Sequence, residues 1–403
     1  LRGTVPSVPG KIPVSAVIAP QLGRPTYRVD PWLAGCALAL ALLGAVMVAS
    51  ASITMADRVH GQPFYFLERQ LFYVLLGGLA AAAGMAVPLR SWEGLSPLLL
   101  TVALLLLVAV LLPGVGYEVN GATRWMRLGP LNLQASEPAR LLLLMYLCGY
   151  VARRRDALES GFRGLLLPLV IVTLAGTLLM LQPDFGATVV LFMTAIAVLF
   201  VGGMRLGYLL LMGLAGLASL ALLVLTSDYR MRRLTAFLDP WADPWNSGFQ
   251  LTQSLIAIAR GEWFGVGLGG SVQKLFYLPE AHTDFVFAVY AEEFGLVGVF
   301  AMIALFAVLV WRAYAISLAA AAAERVFAAC YAFGFGTWLG AQAFINIAVN
   351  MGLLPTKGLT LPLVSYGGSS LLVTGAGLGV LLRIHHELSA DGYAGRRAAR
   401  TRR

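Results

Sequence analysis

Apolar runs long enough to cross a ~30 Å hydrocarbon core recur along this whole chain. They lie near 31–53, 67–87, 95–113, 133–151, 163–182, 184–203, 206–226, 284–311, 325–350 and 359–382. A chain so patterned must satisfy its backbone polar groups inside each segment, which leaves helices or a closed barrel. The runs are rich in Leu, Ala and Gly and lack the alternation of a barrel strand, so helices are expected. The predicted fold class is an all-α membrane protein, a polytopic bundle of about ten transmembrane helices with a large structured extracytoplasmic loop over 227–283. Around Gln182-Pro183-Asp184 the chain either turns sharply between two spans or runs on as one kinked helix.

The formal net charge of +9 could suggest a nucleic-acid partner, but its placement argues against one. With the N-terminus inside, inner segments hold 18 of the 29 Lys and Arg residues, the bias of the positive-inside rule. The expected organisation is a flexible cytoplasmic tail over 1–30, a transmembrane domain over 31–384 and a basic cytoplasmic tail over 385–403, in a cytoplasmic membrane with both termini inside. The basic tail suits anionic lipid. Cys36, Cys148 and Cys330 all fall inside spans and read as small packing residues rather than a disulfide or metal framework.

On this topology every polar motif falls on the outer side. Gly121-Ala-Thr-Arg-Trp125 lies in the second outer loop, and Gln134-Ala-Ser-Glu-Pro-Ala-Arg140 enters the next span. Gln182-Pro-Asp-Phe-Gly186 forms the third outer turn. Pro279-Glu-Ala-His-Thr-Asp284 closes the long fourth loop, and Pro355 to Pro362 with Ser365 to Ser370 makes the fifth. A transporter places such groups near the midplane, reachable from both sides. Clustering at one face suits an enzyme working on something in the outer leaflet.

Asp284 is a carboxylate placed where water meets lipid, a costly position without a task. Arg230, Arg232 and Arg233 sit outside, against the charge trend, and read either as lipid-headgroup contacts or as a cradle for a phosphate-bearing lipid. Lys357 is a second cation of that kind, or the counter-ion of a carboxylate. Ser365, Ser369 and Ser370 around Gly367-Gly368 read as hydroxyl caps of a helix start or as part of an anion cradle. Glu137 and Arg140, at i, i+3, read as a structural pair. Asp184 reads as a helix cap, and Trp125 as an interfacial anchor. Glu292 and Glu293 lie inside a span and demand partners there, and His282 reads as an interfacial polar residue without the second His or Cys of a metal site. Phe249 to Arg260 reads as a short amphipathic helix at the interface.

Taken together, Asn120-Gly-Ala-Thr-Arg-Trp125, Gln182-Pro-Asp184, Pro279-Glu-Ala-His-Thr-Asp-Phe285, Ala291-Glu-Glu293 and the stretch from Lys357 to Ser370 closely resemble the SEDS family (shape, elongation, division and sporulation) across nearly all of 30–385. Tyr277 to Phe285 and Arg230 to Phe237 look most like its division-type members; the elongation type is the nearest alternative. The resemblance implies ten spans and polymerisation of lipid II into glycan strands during septal wall synthesis. It puts Asp284 at the essential acid's position and Arg124, Trp125, Glu137, Asp184 and Lys357 at other sensitive positions. It also implies lipid II and the growing glycan strand as substrates, a class B penicillin-binding protein (an FtsI-type transpeptidase) as partner, and the bitopic FtsQ–FtsL–FtsB complex as regulator. Members commonly carry Lys where this chain has Arg140. Asp284 would be the general base, with Arg230, Arg232, Arg233, Lys357, Arg124, Trp125 and Ser369 about the substrate and its pyrophosphate, and Glu137, Arg140, Asp184 and Glu293 in support. No cofactor is evident; a divalent cation, Mg or Mn, could share the pyrophosphate's charge, although the sequence carries no cage for one. A lipid II flippase is the rival reading, and a membrane scaffold without chemistry a third.

Overall fold

The computed structural model describes residues 28–401 except 120, 130, 226–227, 247, 276 and 357. Ten long helices carry the described chain: α1 (Pro31–His60), α2 (Tyr65–Ala86), α3 (Leu89–Ala109), α4 (Ser136–Ser160), α5 (Phe162–Leu181), α6 (Phe185–Val201), α7 (Leu206–Leu225), α10 (Val286–Ala322), α11 (Val326–Asn350) and α12 (Gly368–Thr401). Two short helices, α8 (Asp228–Leu238) and α9 (Phe249–Gly261), fill the long loop between α7 and α10. Seven of the long helices are apolar and long enough to cross a membrane; α6 and residues 206–216 of α7 are apolar but shorter, and α4 carries Arg153–Asp156 near its end. The chain is thus a polytopic, mostly helical integral membrane protein.

The helical reading holds, with one small addition and two changed bounds. β1 (Gly116–Val119), β2 (Ala122–Leu128) and β3 (Leu131–Gln134) form an antiparallel sheet in the order β1-β2-β3, with Val119 paired to Ala122 and Leu128 to Leu131. The last helix starts at Gly368 rather than near 359, because 358–361 has no regular structure and 362–364 turns ahead of it. Nor does the packed bundle stop at 384. α12 runs on, and Glu387 accepts from Arg325 (2.9 Å), Arg383 (2.7 Å) and the Leu89 N–H (3.2 Å). Close by, Arg312 of α10 pairs with Asp30, the cap of α1, with His385 Nδ1 3.6 Å away. The expected N-terminal tail up to Tyr27 lies outside the described residues.

Gln182-Pro183-Asp184 is a sharp turn, not a kink within one helix. Asp184 starts α6 by accepting the Ala187 N–H at 3.1 Å, as the sequence suggests. α2 and α12 lie close because both offer glycines: a Cβ at Gly375 would stand 2.2 Å from the Gly77 carbonyl, and one at Gly379 2.1 Å from that of Ala81.

α10 is broken at Gly295, which adopts φ 64°, ψ −167°. A break at membrane depth frees backbone groups that lipid cannot satisfy. The segment after α9 supplies the partners: Val266 N–H bonds Glu292 O (2.9 Å), Gly267 N–H bonds Glu293 O (3.1 Å), and Leu296 and Val297 donate back to Glu262 and Trp263. Glu292 accepts from Arg260 (3.0 Å), Ser271 (2.5 Å) and the Val272 N–H (3.1 Å). The expected amphipathic helix is therefore present as α9, packed on α10 and α11.

Candidate active site

Asp284 ends the loop that leads into α10. The helix begins just after it, where Ala288 and Val289 bond Phe285 O, and the Asp284 carbonyl takes donors from another helix. Two side chains of α11 supply donors: Asn346 Nδ2 at 2.9 Å and Asn350 Nδ2 at 3.1 Å. Asn346 also donates to Leu359 O at 2.6 Å, and Gln342 donates to Thr360 O at 3.0 Å. The same face of α11 carries Trp338, whose Nε1–H donates to Gln342 Oε1 at 2.8 Å. Residues at 338, 342, 346 and 350 repeat every four positions and form a buried polar stripe. It holds the Asp284 loop and the 358–361 segment against one helix. The Asp284 carboxylate is half-buried, and its Oδ2 stands 3.1 Å from where a Cβ on Gly358 would be.

A second cluster forms on Asp184. Besides capping α6, it accepts from Ser136 Oγ (2.9 Å) and Gln134 Nε2 (3.1 Å), with Arg124 Nη1 at 4.0 Å. Arg124 and Trp125 project from β2, and Trp125 pairs in register with Gln134. Ser369, in the first turn of α12, accepts from the Gln134 N–H (2.9 Å) and donates to Asn132 O (3.0 Å), clipping β3 to the helix. Leu359 bridges the clusters: its side chain fills the space a Cβ on Gly186 would need, with its nearest atom at 2.6 Å. Asp184, Arg124, Trp125, Ser369 and Asp284 thus gather at one end of the bundle.

The remaining expected residues divide. Glu137 and Arg140 do pair, buried in α4, and Arg140 adds Gln342 Oε1 (3.3 Å) and the Trp338 ring (5.0 Å). The fork at position 140 thus reaches the α11 stripe as well as Glu137, two directions that a guanidinium serves at once. Glu293 sits apart, bound by Ser50 of α1 (2.7 Å) and Lys274 (3.0 Å). His282 is buried between Phe66 (4.7 Å) and Tyr366 (5.6 Å), and burial holds its imidazole below its ordinary pKa. Lys357 and the side chains of Arg230, Arg232 and Arg233 lie outside the described residues; the arginines belong to α8, which contacts α7. Among the described residues no three His, Cys, Asp or Glu side chains gather as a metal cage. Gln342, Asn346 and Asn350 escape a reading that treats 325–350 only as an apolar span, although their four-residue spacing is a visible signal.

Fold and site define a polytopic membrane protein with an acid held at the mouth of its helix bundle by an internal polar stripe. The chain belongs to the cell cycle protein family that groups FtsW, RodA and SpoVE, whose model matches residues 31–390. It is 56% identical over 370 residues to the "Probable peptidoglycan glycosyltransferase FtsW" of Thioalkalivibrio sulfidiphilus, covering 92% of each chain. It is 55% identical over 366 residues to the protein of the same name from Nitrosococcus halophilus, covering 91% of this chain and 94% of that one. Among solved structures, a chain of a peptidoglycan synthase complex that coordinates polymerization and crosslinking superposes with a TM-score of 0.73 at 37% identity, over 89% of this chain and 98% of that chain. The rod shape determining protein RodA of Thermus thermophilus matches with a TM-score of 0.65 at 33% identity, over 89% and 97%.

Proposed function

We propose that this protein is a peptidoglycan glycosyltransferase that polymerises lipid II into glycan strands at the outer face of the cytoplasmic membrane during septal wall synthesis. The observation that carries the reading is the run of glycosyltransferase-named relatives at 48–56% identity over about nine-tenths of the chain. The gathering of Asp284, Asp184, Arg124, Trp125 and Ser369 at one end of the bundle supports it.

In this reading two lipid-linked substrates meet at the bundle mouth. The acceptor sugar hydroxyl attacks the anomeric carbon of the donor and passes its proton to the Asp284 carboxylate. The new carbon–oxygen bond forms as the bond to the lipid pyrophosphate breaks, and the electron pair leaves with the phosphate. One carboxylate suffices for a direct inverting displacement, unlike the acid pair of glycoside hydrolases. The developing charge falls to cations of this chain: Arg124 beside Asp184, Lys357 next to Gly358, and Arg230, Arg232 and Arg233 of α8. The described side chains do not fit a dedicated Mg or Mn cage, so no step is assigned to one. The partners proposed are a class B penicillin-binding protein and the FtsQ–FtsL–FtsB complex, at the division septum, with both termini cytoplasmic.

The test is polymerisation of lipid II in liposomes by the purified protein with its transpeptidase partner. Wild type should make polymer and a folded Asp284→Ala variant none. Equal polymer from both removes Asp284 from the mechanism. Lipid II crossing the bilayer without polymer, in both, replaces the enzyme with a flippase.

A further inference from the structure

We propose that Asn346 is a positioning residue, a clamp that fixes Asp284 relative to the 355–362 segment; this rests on the glycosyltransferase reading for its catalytic consequence, not for its geometry. One side-chain amide can donate two hydrogen bonds. Asn346 spends both on carbonyls from two segments far apart in sequence, Asp284 O at 2.9 Å and Leu359 O at 2.6 Å. It is itself nearly fully buried. Both carbonyls lie outside regular helix, where a buried carbonyl left without a donor is costly. Asn350 adds a second donor to Asp284 O (3.1 Å), bonds Asn346 O (2.9 Å), and its own carbonyl is held by Ser254 of α9 (2.8 Å).

The clamp sits one peptide away from the chemistry on either side. Asp284 carries the acid, and Leu359 follows Lys357 and Gly358 in sequence, where a Cβ on Gly358 would stand 3.1 Å from Asp284 Oδ2. Asn346 acts on two backbone carbonyls, so its effect on the reaction passes through the placement of others. Misplacing a reacting group by about 1 Å costs on the order of 100-fold in rate, and that loss falls on kcat when binding contacts are intact.

The test pairs two readouts on Asn346→Ala, Asn346→Gln and Asn350→Ala. Hydrogen exchange followed by mass spectrometry should show residues 280–285 and 358–362 exchanging about tenfold faster together in Asn346→Ala, with the middle of α11 still protected. In the polymerisation assay kcat should fall about 100-fold while KM for lipid II changes little, and Asn346→Gln, which keeps the amide, should recover part of the loss. Unchanged exchange in both segments, or a loss confined to KM, overturns the clamp. If Asn346→Ala does not fold, Asn346→Gln decides: its longer amide cannot hold both carbonyls where Asn346 holds them, so exchange should rise in both segments together, more than in Asn350→Ala, which leaves both carbonyls on Asn346; a rise in neither or in one alone overturns the proposal. Should wild type make no polymer, the glycosyltransferase reading fails, and the exchange data still decide the clamp.

Discussion

Lys274 and Glu293 form an ion pair with almost no exposed side-chain surface, which makes the cost of breaking it large and separable from the chemistry. Lys274 Nζ uses all three donors, on Glu293 Oε1 (3.0 Å), Ser50 Oγ (3.0 Å) and Gly269 O (2.8 Å). Lys274→Met keeps the stem but strands a buried carboxylate that, among the described residues, keeps Ser50 as its side-chain donor. Removing one partner of a buried pair costs about 3–5 kcal/mol. With about 2.1 cal/mol/K of unfolding entropy per residue over 403 residues, a loss of about 4 kcal/mol lowers the thermal midpoint by about 5 °C. Adding Glu293→Gln removes the stranded charge while keeping the side chain's shape. The double variant should therefore return to within about 1 kcal/mol of wild type. The assay is intrinsic tryptophan fluorescence of the detergent-solubilised protein, heated at one fixed rate. A double variant at or below the midpoint of Lys274→Met would refute the reasoning, because stranded charge would then not be the source of the loss.

Two further outcomes follow from the packing and the loop chemistry. Gly379→Leu must push α12 off the Ala81 carbonyl and should cost at least about 3 kcal/mol in the same melt, whereas Gly78→Ala, with no atom within 4 Å of its Cβ, should change it little. His282 is held neutral by burial, below its ordinary 6.5, although Glu280 pulls the other way. The unfolded chain then binds more protons than the folded one, so this stability is complete above pH 6.5 and lost as pH falls from there through the folded value. Midpoints measured from pH 8 down to pH 5 should fall more steeply for wild type than for His282→Gln.

Much of this architecture is written in local pattern. The spans follow from apolar length, the start of α6 from Asp184, and the Glu137–Arg140 pair from spacing. The sheet has a local signal in the Asn-Gly pair at 120–121, a hairpin-turn dipeptide, with Gly121 at φ 75° between strands of only four and seven residues. The late start of α12 has no such local signal. Residues 359–364 are as apolar as a helix, and the carbonyls of 359 and 360 are taken by donors on α11, remote in sequence, rather than by a helix of their own.

That dependence has a general physical cause. An outer segment that dips into an apolar bundle without forming a helix brings carbonyls that lipid cannot satisfy. Some neighbouring span must then carry side-chain donors at helical spacing, facing inward, with no charge of their own to bury. Gln342, Asn346 and Asn350 answer that requirement. Arg140 and Trp338, bonded or stacked on Gln342, extend the same stripe towards α4. Amides at four-residue intervals in an otherwise apolar span therefore point to irregular backbone packed against that face. In this chain that backbone carries Asp284.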